Sequence, residues 1–222
     1  MPAKNSRKTY IENGYYHIYN RGVEKRNIFL DEQDYKVFLS YLKFYLEPPN
    51  LQGQALKVAP SRQLKNYADQ ITLLAYCLMP NHFHLLVKQT AFNTINRFIH
   101  SILIKYSMYI NKKYHRIGPL FQGRYKAVLI ATEPQFLYLT KYIHRNPLDL
   151  PPTSPGLEGY PYSSYPNYLH HIHQIWLKPQ EILSYFSRTN PSLAYKSFVE
   201  DGSELGDIAR LTLEPTSPDL EG

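Results

Sequence analysis

Apolar and polar positions alternate in blocks along the chain, and the period of each block predicts an element. Tyr15-Tyr16-His17-Ile18-Tyr19 is short and aromatic and is bounded by Gly14 and by Asn20-Arg21-Gly22, which predicts a strand followed by a turn. Asp31 can cap a helix in which Tyr35, Phe38, Leu39, Leu42 and Leu46 form one face at the helical period, ended by Pro48-Pro49. Residues 50–68 lack periodicity and contain Gly53 and Pro60, so a loop is expected there. Two apolar runs, Ile71 to Met79 and Phe83 to Lys88, flank Pro80-Asn81-His82 and predict an antiparallel hairpin.

A second helix is expected from about Asn93 to Lys113, with Ile95, Phe98, Ile99, Ile102, Tyr106 and Ile110 on one stripe. Gly118-Pro119 interrupts the chain, and Arg124 to Ile130 then reads as a strand. Thr132 and Gln135 have the spacing of a capping box with Pro134 in the first turn, so a third helix should run to Asn146 and stop at Pro147. The order β-α-β-β-α-β-α makes this an α+β protein whose first six elements follow the ferredoxin-like split βαβ layout around a central antiparallel sheet. In that layout two helices cover one sheet face, and the third helix is left to lie against or beside the other. These elements make residues 1–150 one main domain. Residues 151–202 are richer in Pro, Ser and Tyr, with helical stretches around Pro179–Phe186 and Ser192–Glu200, and read as a C-terminal helical extension packed on it. Residues 203–222 are expected to be a disordered tail.

Composition narrows the class. The 222 residues, 43% hydrophobic, are enough for one sizeable core, and the net charge of +7 suits a protein that meets phosphates. The single cysteine, Cys77, rules out an internal disulfide or a cysteine-rich zinc cluster and points to a reducing compartment. Met1 to Lys8 are polar, and no window approaches the roughly 18–20 apolar residues of a membrane span, so a cytoplasmic protein without a membrane partner is expected. The 21 tyrosines can stack on bases, but most of them serve equally well as core residues.

Candidate chemistry lies in two places. His82 and His84, two apart at the start of a strand, present both imidazoles on one face, a spacing that suits metal chelation and equally suits two half-exposed surface histidines. Tyr142 and Asn146, four apart on the third helix, share a face; Tyr138 lies one turn earlier on the same face, and spacing alone does not choose between the tyrosines. The cluster His170-His171-His173 has no supporting carboxylates or cysteines and reads as exposed side chains.

Four segments together carry a resemblance. Leu78-Met79-Pro80-Asn81-His82-Phe83-His84-Leu85-Leu86-Val87 resembles the His-hydrophobic-His segment of the HUH endonucleases, specifically the single-tyrosine transposases of the IS200-like and REP-associated kind. Tyr16-His17-Ile18-Tyr19-Asn20-Arg21-Gly22 is similar to that family's first strand. Gly118-Pro119-Leu120-Phe121-Gln122-Gly123-Arg124-Tyr125-Lys126-Ala127 is similar to its strand after the second helix, and Tyr142-Ile143-His144-Arg145-Asn146-Pro147 to its tyrosine helix. The likeness runs from about residue 10 to 200 and is weakest in the 50–68 loop.

The resemblance implies a metal-dependent single-stranded DNA endonuclease and strand transferase, with Tyr142 as nucleophile and His82, His84 and Asn146 as ligands of Mg²⁺ or Mn²⁺. Relatives often carry Gln at the third ligand position, where Asn146 is shorter. It further implies imperfect palindromic hairpins as the DNA partner and a covalent 5′-phosphotyrosine intermediate. Arg21, Lys112, Lys113, Arg116, Arg124 and Lys126 flank the expected site in the assumed fold and could contact phosphates. A monomer and a homodimer that exchanges tyrosine helices both fit the sequence, as does a domesticated member that cuts without moving its own gene. Two rivals remain: a non-catalytic RNA- or DNA-binding module of RNA-recognition layout, which leaves His82, His84 and the tyrosine helix without a purpose, and a metal-dependent phosphoesterase that would need no tyrosine.

Overall fold

The computed structural model describes residues 9–49 and 65–202. Most of the expected 50–68 loop and all of the expected 203–222 tail lie outside the described residues. The fold is α+β: β1 (Tyr15–Arg21), α1 (Glu32–Leu46), β2 (Ile71–Met79), β3 (His82–Gln89), α2 (Thr94–Lys113), β4 (Lys126–Ile130) and α3 (Glu133–Arg145) follow in the expected order. The four strands form one antiparallel sheet in the order β2-β3-β1-β4.

Local chemistry explains the boundaries. Asp31 caps α1 by accepting from the Asp34 N–H at 3.0 Å, and the Asp34 carboxylate accepts back from Asp31 N–H, so a capping box forms with an aspartate in the third position. α1 ends at Leu46 because Glu47 precedes a proline, whose ring disfavours helical backbone in the residue before it. α2 has no side-chain cap at Asn93; the Gln89 side chain, at the end of β3, instead accepts the Ile95 N–H at 3.1 Å. Thr132 caps α3, while Gln135 reaches back to the Ala131 N–H, one residue earlier than a capping box requires.

Three strand limits differ from the periodicity. β1 runs two residues past Tyr19, because Asn20 and Arg21 still pair with Phe83 and His82. The turn follows at Gly22, where a Cβ would stand 2.1 Å from the Arg26 carbonyl oxygen, a contact only glycine avoids. The hairpin turn holds only Pro80 and Asn81, so His82 belongs to β3, opposite Met79 and Arg21. β4 begins at Lys126 rather than Arg124, since Tyr19↔Lys126 is its first pair with β1.

Strand alternation sorts the side chains into two faces. Tyr16, Ile18, Phe83, Leu85 and Val87 are buried on the face that meets α1 and α2, with the Phe38 and Phe83 rings 5.3 Å apart and those of Phe38 and Tyr106 5.0 Å apart. The opposite face carries Tyr15, His17, Tyr19, His82 and His84, and α3 lies against it, with Phe136 edge-on to Tyr15 at 4.7 Å.

After a 3₁₀ turn at Asn146–Asp149, the chain forms short helices α4 (Gly156–Gly159), α5 (Tyr165–Tyr168) and α6 (Gln180–Leu183) and the longer α7 (Pro191–Glu200). This stretch satisfies the outer edge of β2. Leu78 N–H donates to Tyr162 O at 2.9 Å, Ser164 N–H to Tyr76 O at 2.9 Å, and the Tyr160 and Tyr168 hydroxyls to the Leu78 and Leu74 carbonyls at 2.7 Å each. An edge strand with unpaired N–H and C=O groups invites wrong pairing, and here the extension removes that hazard.

Candidate functional site

The β1–β3 register builds the site. His84 lies opposite Tyr19 and His82 opposite Arg21, so all four side chains point to the face covered by α3. The His82 and His84 rings stand 4.8 Å apart, and Tyr142, from α3, meets His84 edge-on at 5.2 Å. Asn146 closes the group, its Oδ1 3.3 Å from His82 Nε2. The four residues singled out for chemistry, His82, His84, Tyr142 and Asn146, are therefore neighbours, although β3 is far in sequence from α3 and the 3₁₀ turn that follows it. Tyr138 instead stacks edge-on against Phe198 at 5.7 Å, in contact with the extension.

Hydrogen bonds fix the tautomer of His82. The Asn81 amide donates its Nδ2 protons to Lys25 O at 3.3 Å, which leaves Asn81 Oδ1 facing His82 Nδ1 at 2.6 Å. Nδ1 must therefore donate, and Nε2 keeps its lone pair. Asn146 donates from Nδ2 to Tyr142 O at 2.9 Å, which turns its Oδ1 toward that same lone pair. Two acceptors face each other with no proton between them, an arrangement that a cation relieves. At His84, Nε2 is buried and has no hydrogen-bond partner among the described residues. Burial, reinforced by the neighbouring histidines, holds the His84 pKa well below its usual value, and burial also lowers that of His82. Both imidazoles are thus neutral at neutral pH, the form that ligates metals.

Among the described residues no three His, Cys, Asp or Glu side chains group to hold a metal. A third protein ligand here would have to be of another kind, and Asn146 offers a neutral amide oxygen. Two imidazoles and an amide oxygen mix nitrogen and oxygen donors, which Mn²⁺ accepts more readily than Mg²⁺ does, so the residues present fit the group.

Of the expected phosphate contacts, Arg21 lies on the site face, its Nε donating to Gln122 Oε1 at 2.5 Å, and Lys126 shares that face one strand further out. Arg124 is exposed in the segment leading into β4. Lys112 and Lys113 belong to α2, in the opposite layer. Lys113 is engaged by Asp31 at 2.6 Å and by the buried Asp34 at 2.8 Å, and Lys112 lines an open groove with Tyr41 and Met108. Arg116 follows the end of α2. His170, His171 and His173 lie in the extension, His171 4.0 Å from Glu158.

One site residue carried no role in the sequence reading. His17 is buried beside His84, its Nε2 2.9 Å from His84 Nδ1 with the rings stacked at 5.1 Å. The alternation Tyr15-His17-Tyr19-Arg21 was its available signal, but it points at His84 only once the β1–β3 register is known.

The model of the family described as "Transposase IS200 like" matches residues 10–146, more than half of the chain and the whole span from β1 to Asn146. The structure resembles that of a REP-associated tyrosine transposase bound to a REP hairpin, with a TM-score of 0.55 at 13% identity over 78% of this chain and 89% of that one, a likeness of fold. A Deinococcus radiodurans protein described as a transposase candidate is 17% identical over 62% of this chain and 94% of that one, with a TM-score of 0.37. No curated protein sequence matches the chain. No helix among the described residues is long and apolar enough to cross a membrane. With the match to its family model running from the first strand through α3, this chain belongs to the IS200-like transposases.

Proposed function

We propose that the protein is a metal-dependent endonuclease and strand transferase for single-stranded DNA, acting in the cytoplasm at sites beside DNA hairpins, with Tyr142 as nucleophile and His82, His84 and Asn146 as metal ligands. The observation that carries the reading is the meeting of Tyr142 with His84 at 5.2 Å, beside a His82 lone pair and an Asn146 carbonyl oxygen that face each other at 3.3 Å. A divalent metal bound there would act as a Lewis acid toward a non-bridging oxygen of the scissile phosphate. The side chains do the rest. Tyr142 Oη attacks phosphorus, the bond to the 3′ oxygen breaks, and that oxygen leaves as a 3′-hydroxyl after taking up a proton, while the phenolic proton passes to solvent. The phosphate stays on Tyr142 as a 5′ ester, so a later 3′-hydroxyl can displace the tyrosine and rejoin DNA without ATP. Arg21 and Lys126, on the same face, are placed to meet backbone phosphates.

Hairpin DNA as the partner is supported by the similar structure, which is that of a protein bound to a REP hairpin. A site completed within one chain is favoured over exchange of tyrosine helices, because α3 is tied to its own extension: His144 bonds Tyr195 and Ser164 at 2.7 Å each, and Arg145 donates to Val199 O at 2.8 Å. The test is incubation with Mn²⁺ and labelled single-stranded hairpins from the DNA flanking the gene, read on a denaturing gel. A covalent protein–DNA adduct that disappears in Tyr142→Phe and in His84→Ala is the expected result. Cleavage that survives Tyr142→Phe would mean a phosphoesterase, and tight binding with no adduct would mean a nucleic-acid-binding module.

A further inference from the structure

His84 and His17 share a single hydrogen bond, and its direction decides what His84 can do. The two residues are diagonal neighbours on β3 and β1, a separation that aromatic side chains span. His84 Nδ1 and His17 Nε2 lie 2.9 Å apart, both rings are fully buried, and one proton must occupy the gap. If His17 donates, His84 must carry its own proton on Nε2, a buried N–H for which the described residues present no acceptor. If His84 donates, its Nε2 keeps a lone pair, and His17 holds its proton on Nδ1. Only the second arrangement makes His84 a ligand.

We propose that His17 is the positioning residue for His84: it accepts the Nδ1 proton and thereby commits the Nε2 lone pair of His84 to the metal. This rests on the assignment of His84 as a ligand in the proposed function. His17 touches neither metal nor DNA in this role. It mirrors Asn81, which accepts from His82 Nδ1 at 2.6 Å, so each strand histidine has its own outer partner setting its tautomer.

Glutamine at position 17 can place its Oε1 close to where the imidazole Nε2 stands and still accept; leucine fills similar space and cannot. The experiment is a titration of the DNA-free full-length protein with Mn²⁺ alone, by calorimetry and by loss of the free Mn²⁺ paramagnetic signal. It is run on wild type, His17→Gln, His17→Leu and His84→Ala, with thermal midpoints as a control for folding. The expected result is a roughly 10–100-fold weaker Mn²⁺ affinity for His17→Leu, the usual consequence of losing such an outer partner, with His17→Gln within a few-fold of wild type. Long-range ¹⁵N NMR of the metal-free wild type should find His84 protonated on Nδ1.

His17→Leu binding Mn²⁺ like wild type, while His84→Ala does not bind, overturns the positioning role and leaves the metal assignment standing. The positioning role also falls if His17→Gln is as weak as His17→Leu, or if His84 carries its proton on Nε2. Wild type that takes up no Mn²⁺, or His84→Ala that still does, removes the metal assignment and the proposal together. If His17→Leu does not fold, His17→Gln and the wild-type tautomer still decide.

Discussion

Acid should loosen the tyrosine helix from behind through His144, which is fully buried on α3 and bonded to the Tyr195 hydroxyl and Ser164 Oγ. Burial pushes its pKa in the fold down to about 3, whereas in the unfolded chain it returns to 6.5. Above the unfolded value both states are neutral there and pH has no effect. Below it, the unfolded chain takes up a proton that the fold refuses until about pH 3, so stability is lost as pH falls through that window. At about pH 5 the unfolded state gains about 1.5 units of protonation free energy at roughly 1.36 kcal/mol each, or about 2 kcal/mol from this one side chain. Other buried histidines add to the fall in the same direction, so the assay compares urea unfolding of wild type and His144→Gln, which has nothing to titrate, at about pH 7 and about pH 5. Wild type should lose about 2 kcal/mol more than the variant between the two conditions. Equal losses would refute the assignment of a buried neutral imidazole at this position.

Asp34 is buried and accepts from Leu30 N–H at 2.9 Å, Lys113 Nζ at 2.8 Å, Tyr109 OH at 3.0 Å and Tyr114 OH at 2.8 Å, so Asp34→Ala should cost roughly 3–5 kcal/mol by denaturant unfolding. A loss below about 1 kcal/mol, the level of an exposed pair, would mean that the network is solvent-screened. Chelating divalent metal should abolish the covalent adduct while leaving hairpin binding in a gel-shift assay, and Mn²⁺ should restore it; cleavage in excess chelator contradicts the ligand assignment. A chain ended after Leu150 loses every partner of the outer edge of β2 and both partners of His144, and should aggregate or melt without a cooperative transition. A monomeric, cooperatively melting fragment would show that the extension is dispensable.

The elements were legible because their signals are local. The α2 stripe from Ile95 to Ile110 is buried along its whole length, and the caps at Asp31 and Thr132 use donors only three residues away. Motif resemblance, not spacing, separated Tyr142 from Tyr138, and the structure places Tyr142 against His84 and Tyr138 against Phe198. What stayed hidden depends on register or on long-range contacts. A lone histidine in β1 acquires a partner only when β1 is paired with β3, and Lys113 reads as a free cation until α1 brings Asp34 to it from 79 residues away. The anchor of α3 is of the same kind, since His144 finds Tyr195 and Ser164 across 51 and 20 residues.

That anchor explains how Tyr142, on a helix, can be held over histidines on strands. Successive helix residues turn by about 100°, so Tyr142 and His144 point to nearly opposite sides of α3, while Asn146, four residues on, returns to the side of Tyr142. One side meets the imidazoles of β3. The other is held by Ser164 and Tyr195, and Ser164 Oγ also accepts the Tyr76 N–H of β2 at 2.8 Å. The helix is therefore clamped between the sheet face it serves and an extension fastened to the edge of that same sheet. His82 and His84 are fixed by strand pairing on both sides of β3, whereas Tyr142 keeps its place only while both contacts of α3 persist. The geometry that can loosen is that of Tyr142, the proposed nucleophile, and the two histidines proposed as ligands are held independently of it by the sheet.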